Sequence, residues 1–150
     1  MYEFLKNLII AVFKKDDMKE ARKELNRWRP IIQAEGITGM KRFMAQFKYH
    51  KEDRDWTPDK PEMVVMAGWR DDCDGAAVLS RWAFKQMGMD SDFYRLKGKT
   101  SHRICVTTCQ RFFTTNGTVV EVPEYAKWPL NYILTWGWHR DMGYQSIRKI

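Results

Sequence analysis

Cys73 lies among aspartates at a position where a helix would activate a thiol. In the stretch GWRDDCDGAAVLSRWAFKQMG, residues 68–88, it directly precedes an apolar run at helical spacing, and Asp72 or Asp74 can serve as the N-cap. Unpaired N–H groups and the helix dipole favour a thiolate in the first turn. The neighbouring carboxylates disfavour it. Two interpretations stay open for Cys73, a nucleophile and a small residue that fills space behind the helix.

A nucleophilic cysteine needs a base, and the candidate is His102, which opens the strand HRICVTT after a polar loop. A surface histidine is the plain alternative. If this strand pairs with RFFTTN through a three-residue loop, His102 lies opposite Asn116, whose carbonyl would orient the imidazole. Alternatively, Asn116-Gly117 forms a type I′ turn between RFFTT and TVVEV. Both interpretations of Asn116 remain open.

A zinc site is the rival chemistry at the same strand. His102, Cys105 and Cys109 are close in sequence, and Cys73 would complete a set of four ligands. Strand alternation places His102 on one face and the two strand cysteines on the other, so the set does not converge without a bulge. The sequence therefore predicts no metal site, and it indicates no cofactor.

Composition limits the class of protein. With 150 residues, of which 44% are hydrophobic, the chain can bury one core as a single domain. The apolar run at residues 4–13 is interrupted by Lys6 and is too short to span a bilayer, and it lacks the features of a secretory signal. Three cysteines, an odd number, indicate free thiols in a reducing compartment. We expect a cytoplasmic protein without a membrane partner.

The charge is basic, with 26 Lys and Arg against 19 Asp and Glu, which gives a net charge of +7. Such an excess favours nucleic acid or another anionic partner. The basic residues are scattered along the chain, so a solvated surface explains them equally well.

The apolar periodicity predicts helices followed by strands. We expect a first helix at residues 3–14, a second that begins after Asp16 or Asp17 and is disturbed by Pro30, and a third that begins at Thr38. The third should bury Met40, Phe43, Met44 and Phe47. Residues 50–62 read as a loop. After the Cys73 helix, which Gly88 ends, four short segments read as antiparallel strands: DFYRL, HRICVTT, RFFTT and TVVEV.

The last segment, residues 123–150, is aromatic and basic. Four of its aromatic residues have two possible roles: Trp128, Tyr132, Trp136 and Trp138. They either pack over the sheet or stack on nucleic-acid bases beside His139 and Arg140.

The order of these features resembles the transglutaminase-like superfamily, in particular the small bacterial and phage transglutaminase-like cysteine proteinases. The resemblance covers roughly residues 38–117. It rests on residues that fill the family's places in order: Tyr49, Trp56, Pro58, Glu62, Asp72, Cys73, Asp74, His102 and Asn116. Three positions depart from the family pattern. Asp71 stands where glycine is usual, Gly75-Ala76 replaces an acidic or aromatic pair, and Asn116 replaces the common aspartate.

The resemblance implies an α+β fold with a papain-like core, in which the Cys73 helix packs on a small antiparallel sheet. It implies a single domain over residues 1–150, with N-terminal helices at 3–49, a catalytic core at about 50–122 and a C-terminal segment at 123–150. Cys73, His102 and Asn116 would form a triad for acyl transfer on a protein or peptide-like amide. Residues that would line the substrate cleft are Trp56, Trp69, Asp72 and Asp74.

The resemblance leaves hydrolysis and transamidation both open, since one triad performs either. It also implies that Cys73 lies within about 4 Å of a His102 ring nitrogen and is the most reactive of the three thiols. The alternative from another class is a catalytically inactive basic binding module on the same fold.

Overall fold

The computed structural model describes residues 2–51 and 58–150, and for residues 2–16 it describes the backbone alone. The described helices are α1 (Tyr2–Glu35), α2 (Ile37–Met44), α3 (Pro61–Met66), α4 (Cys73–Gln86), α5 (Pro129–Leu134) and α6 (Gly137–Asp141). The described strands are β1 (Lys48–Tyr49), β2 (Arg70–Asp71), β3 (Ser91–Lys97), β4 (Ser101–Thr107), β5 (Phe112–Thr115), β6 (Thr118–Glu121) and β7 (Ser146–Lys149). None of the described helices is long and apolar enough to cross a membrane.

The main sheet is antiparallel, with the strand order β6-β5-β4-β3-β7. The four predicted strands are therefore confirmed, and β7 from the C-terminal segment adds a fifth at the β3 edge. The mixture of helices with a small antiparallel sheet confirms the α+β class.

The helix α4 packs on one face of this sheet. It forms a core with α1, α2 and the sheet, here called the α4-side cluster, and its fully buried members include Leu25, Ile32, Met40, Phe43, Met44, Leu79, Ala83, Phe84 and Cys105. The predicted buried stripe of α2 is confirmed, and Phe47 follows that helix in the same cluster. Gly88, with φ 75°, ends α4 as predicted.

The C-terminal segment covers the opposite face of the sheet. Its core, here called the C-terminal-side cluster, consists of Tyr94, Leu96, Ile104, Val106, Phe113, Val122, Ile133 and Tyr144. Trp136 and Tyr132 pack against it. Of the two interpretations of this segment, packing over the sheet is therefore observed for these two residues, whereas Trp128 is exposed.

The N-terminal helices differ from the prediction. A break at Asp16 or Asp17 is wrong, because α1 runs without interruption from Tyr2 to Glu35 and includes Pro30. The charged run around these aspartates contains no glycine or proline, so nothing forces the chain to leave the helix there. The helix ends before Gly36, whose φ of 62° is left-handed, and Gly36 rather than Thr38 is the N-cap of α2.

The register between β4 and β5 also differs from the prediction. Cys105 lies opposite Thr114 and Val106 opposite Phe113, one residue away from the predicted pairing. The loop between the two strands, residues 108–111, is one residue longer than predicted. The Thr107 hydroxyl closes it by accepting a hydrogen bond from the Phe112 N–H at 3.1 Å. A shift of one residue moves each side chain of the second strand to the other face. The predicted position of Asn116 opposite His102 is therefore wrong.

Candidate functional site

Cys73 is the first residue of α4, and the predicted cap is confirmed. The Asp72 side chain accepts a hydrogen bond from the Asp74 N–H at 3.0 Å, which fixes the start of the helix. The Cys73 thiol is partly buried, and its sulfur accepts from the backbone N–H of Arg103 at 3.5 Å. The strand β4 and the helix start therefore hold the sulfur between them.

Asp71 and Gly75 lie against each other. The Asp71 side chain is buried beneath the first turn of α4 and accepts from the Asp72 N–H at 2.7 Å. A Cβ atom at Gly75 would overlap this carboxylate. The absence of a side chain at Gly75 thus makes room for the Asp71 carboxylate.

His102 lies on the face of the sheet that the C-terminal segment covers, and only 4% of its surface is exposed. Its ring stacks on Tyr144, with ring centroids 5.9 Å apart and an interplanar angle of 15°, and contacts the edge of Trp138. Its Nε2 atom forms a hydrogen bond of 2.8 Å with Thr115 Oγ1. The Thr115 hydroxyl is thus the hydrogen-bond partner of the imidazole. The sequence analysis assigned this role to the Asn116 carbonyl.

Asn116 occupies a hairpin turn rather than a strand end. Asn116 and Gly117 have φ values of 46° and 90° and connect β5 to β6, as a type I′ turn requires. The Asn116 Oδ1 atom is buried, and no hydrogen-bond partner is found for it in the described part of the chain. The turn interpretation of Asn116-Gly117 is therefore confirmed, and its side chain does not hold the His102 ring in place.

One cavity, with a volume of about 680 Å³, brings the candidate residues together. Cys73, His102 and Asn116 all line it, and its walls also include Tyr49, Thr115, Trp136, Trp138 and Tyr144. Tyr49 reaches it because β1 and β2 pair in parallel, with Tyr49 opposite Asp71. Cys73 and His102 make no hydrogen bond with each other, since the bonds described above go to Arg103 and Thr115.

Three other predicted cleft residues, which the structure describes, are not among the residues that line this cavity. Trp69 packs edge-on against Phe43 in the α4-side cluster, with ring centroids 5.2 Å apart. Asp74 forms an ion pair with Arg103, 3.2 Å apart. Asp72 serves as the helix cap. Trp56 lies outside the described residues.

The two central groups are neutral in this environment. Burial raises the pKa of the Cys73 thiol, and the Asp74 and Asp72 carboxylates add to this effect, while the Arg103 N–H and charge oppose it. Burial, with a smaller contribution from His139, lowers the pKa of His102 to about 4. The cavity is therefore lined by a thiol and a neutral imidazole rather than by a preformed ion pair.

The three thiols lie in different environments. Cys109 is exposed, and a hydrogen bond with the Thr107 hydroxyl lowers its pKa. Burial raises the pKa of Cys105 to about 12. Because the thiolate is the reactive species, we expect Cys109 rather than Cys73 to react first with a small alkylating agent.

Potential metal ligands in the described part of the chain include the rival zinc set at β4 and a group at the start of α4. His102 faces the C-terminal side of β4, whereas Cys105 is buried in the α4-side cluster, so strand alternation separates these two as predicted. Ligand atoms of Asp72, Cys73 and Asp74 lie within 4.8 Å of one another. Asp72 and Asp74 are already engaged as the helix cap and in the ion pair with Arg103.

His139 was not identified as a site residue from the sequence, although it lies at the centre of the C-terminal side. It is fully buried, its Nδ1 contacts the Ile133 carbonyl oxygen at 2.7 Å, and its Nε2 lies 3.0 Å from Thr115 Oγ1. The sequence signal was a histidine within an aromatic run, which favoured packing without indicating a partner on β5.

Comparisons of the chain with protein-family models, with curated proteins and with solved structures find no match in any of the three. The resemblance to transglutaminase-like proteins therefore rests on the residues alone and stays a prediction.

Proposed function

We propose that the protein is a cysteine acyltransferase or amide hydrolase of the transglutaminase-like type, built on a papain-like core. One observation carries the proposal: a cysteine at a helix N-terminus and a buried neutral histidine line the same cavity. These are the nucleophile and base that acyl transfer from an amide needs.

In the proposed reaction, His102 accepts the proton of the Cys73 thiol as the sulfur attacks the amide carbonyl carbon. A C–S bond forms, the C–N bond breaks, and His102 returns the proton to the leaving amine. Water then attacks the thioester, with His102 as base, and releases the acid and the thiol. An amine in place of water gives transamidation. A neutral imidazole suits this role, because only the unprotonated ring can accept the thiol proton.

The surroundings support binding of a peptide-like amide. The Cys73 N–H lies in the first turn of α4, where N–H groups lack partners within the helix and can stabilise an oxyanion. The Asn116 Oδ1 atom is an acceptor without a partner in the described residues and suits a substrate N–H. Aromatic walls at Tyr49 and Trp138 offer apolar surface beside these polar groups.

The test is acyl transfer from a mixture of peptides with blocked amino termini, with hydroxylamine present, read by mass spectrometry. New amino termini together with acids or hydroxamates are expected from the wild type. Cys73→Ala and His102→Gln should each lower product formation by about 100-fold or more. Cys109→Ala, which removes the exposed thiol, should retain it. Product from Cys73→Ala, or none from the wild type, would contradict the proposal.

A second candidate function, binding of a nucleic-acid backbone, is favoured by arginines on the sheet. Arg95 lies directly opposite Arg103 on β4 and Arg148 on β7, so three guanidinium groups follow one another across three strands. Arg103 is paired with Asp74, but Arg95 and Arg148 have no ion pair with any described residue. They line a small cavity of about 190 Å³ with Lys97 and Lys149. Like charges on facing positions repel each other, and a phosphate would relieve this repulsion.

This second function is tested with a labelled single-stranded oligonucleotide at increasing salt. The double variant Arg95→Gln/Arg148→Gln should bind more weakly, with a slope of log K against log salt smaller by roughly one to two units. Lys19→Gln/Arg22→Gln, which removes the same charge from the exposed side of α1, is the matched control and should keep the wild-type slope. Equal slopes for the two variants would contradict a site on β3 and β7.

A further inference from the structure

A continuous chain of hydrogen bonds runs behind the His102 ring. The Ile133 carbonyl contacts His139 Nδ1 at 2.7 Å, His139 Nε2 contacts Thr115 Oγ1 at 3.0 Å, and this oxygen contacts His102 Nε2 at 2.8 Å. All three side chains are buried. The chain joins α5, α6, β5 and β4.

The chemistry of the first group fixes the direction of the whole chain. A carbonyl oxygen can only accept, so His139 carries its proton on Nδ1. A neutral His139 then has a lone pair on Nε2, and the Thr115 hydroxyl donates its single proton there. That hydroxyl can only accept from its other neighbour, so the His102 Nε2 atom must be the donor.

We propose that Thr115 and His139 are positioning residues that hold His102 in the tautomer with its proton on Nε2, which leaves Nδ1 as the proton acceptor. The catalytic value of this arrangement rests on the proposed function, whereas the tautomer itself does not. An imidazole in solution populates both tautomers. The hydroxyl relay selects the one whose free nitrogen can accept the thiol proton.

The groups around His139 keep the donor and acceptor roles in this hydrogen-bond chain fixed. Only a second proton on His139 would reverse it, since Nε2 would then donate to Thr115 and Thr115 to His102. Burial lowers the pKa of His139 and disfavours that proton. The rings around His139 are those of Phe113, Trp136, Trp138, Tyr144 and His102. Of these, only Tyr144 and His102 titrate, and burial raises the pKa of Tyr144 and lowers that of His102, so both stay neutral near neutral pH.

The proposal is tested by NMR of the full chain with nitrogen-15 in its histidine rings, slightly above neutral pH. Long-range correlations distinguish a protonated ring nitrogen from an unprotonated one. In the wild type we expect His102 to be protonated on Nε2 and His139 on Nδ1. Thr115→Val keeps the shape but removes the hydroxyl, and it should shift both His102 nitrogens toward the average of the two tautomers.

Two further variants separate positioning from folding. Thr115→Ser restores a hydroxyl and should restore the wild-type nitrogen shifts. Thr114→Val removes the neighbouring buried hydroxyl, which bonds to Ser80 on the α4 side at 2.6 Å, and should leave the His102 shifts unchanged. A wild-type His102 protonated on Nδ1, or unchanged His102 shifts in Thr115→Val, would overturn the proposal. The predicted tautomer in a protein without acyl transfer would overturn the proposed function alone.

Discussion

The two faces of the main sheet bury different chemistry. The face under α4 carries aliphatic and aromatic side chains, and two of the hydroxyls buried there, those of Ser80 and Thr114, bond to each other at 2.6 Å. The opposite face, under the C-terminal segment, buries two imidazoles that share a single hydroxyl. This second face contributes His102 and Thr115 to the cavity that Cys73 also lines.

This difference means that the two faces of the sheet contribute differently to stability and to chemistry. Hydroxyl groups that pair locally are inexpensive to bury, whereas an imidazole that must stay neutral disfavours folding wherever the unfolded chain would protonate it. The C-terminal side therefore loses stability at acidic pH, whereas the Ser80 and Thr114 hydroxyls of the α4 side do not titrate in this range. This contrast between the faces can be measured.

The largest expected effect is a loss of stability in acid that arises from His102. Its pKa is about 4 in the folded protein against an ordinary 6.5, so the unfolded chain binds the proton more readily. The stabilising contribution is fully present above pH 6.5 and is lost as the pH falls toward 4. We expect the free energy of unfolding to fall by about 2 kcal/mol between about pH 7 and about pH 5 from this residue. Urea denaturation at the two pH values measures it.

The control for this prediction compares the two faces directly. His102→Gln should lose this part of the pH dependence, because glutamine does not titrate. Thr114→Val, on the α4 side, should be less stable than the wild type at both pH values and keep the wild-type difference between them. A His102→Gln variant with the same pH dependence as the wild type would show that the imidazole is not held neutral.

The α4 side was predictable because its signals are local. The cap at Asp72, the helix from Cys73 and the stop at Gly88 all lie within one short segment, and propensity and capping decide them. The two-residue turn at Asn116-Gly117 is equally local. The predicted helix break at Asp16 or Asp17 was wrong, because an aspartate can cap a helix but does not by itself interrupt one.

The register of β5 was not predictable from alternation. Both faces of β4 and β5 are buried, so Cys105, Val106, Phe113 and Thr114 give no polar side to distinguish one pairing from the next. An error of one residue was enough to assign Asn116, rather than Thr115, to the imidazole. His139 was missed because its partners Ile133 and Thr115 become neighbours only after the C-terminal segment folds onto the sheet.

The measurement that tests the central claim most directly is alkylation of Cys73 by iodoacetamide slightly above neutral pH, in a Cys109→Ser background that removes the exposed thiol. Burial raises the pKa of the Cys73 thiol, so its reaction depends on a base. If His102 is that base, His102→Gln slows the alkylation of Cys73 by roughly ten-fold, while Thr114→Val leaves the rate near that of the parent. The same rate with and without His102 would contradict the pairing of these two residues.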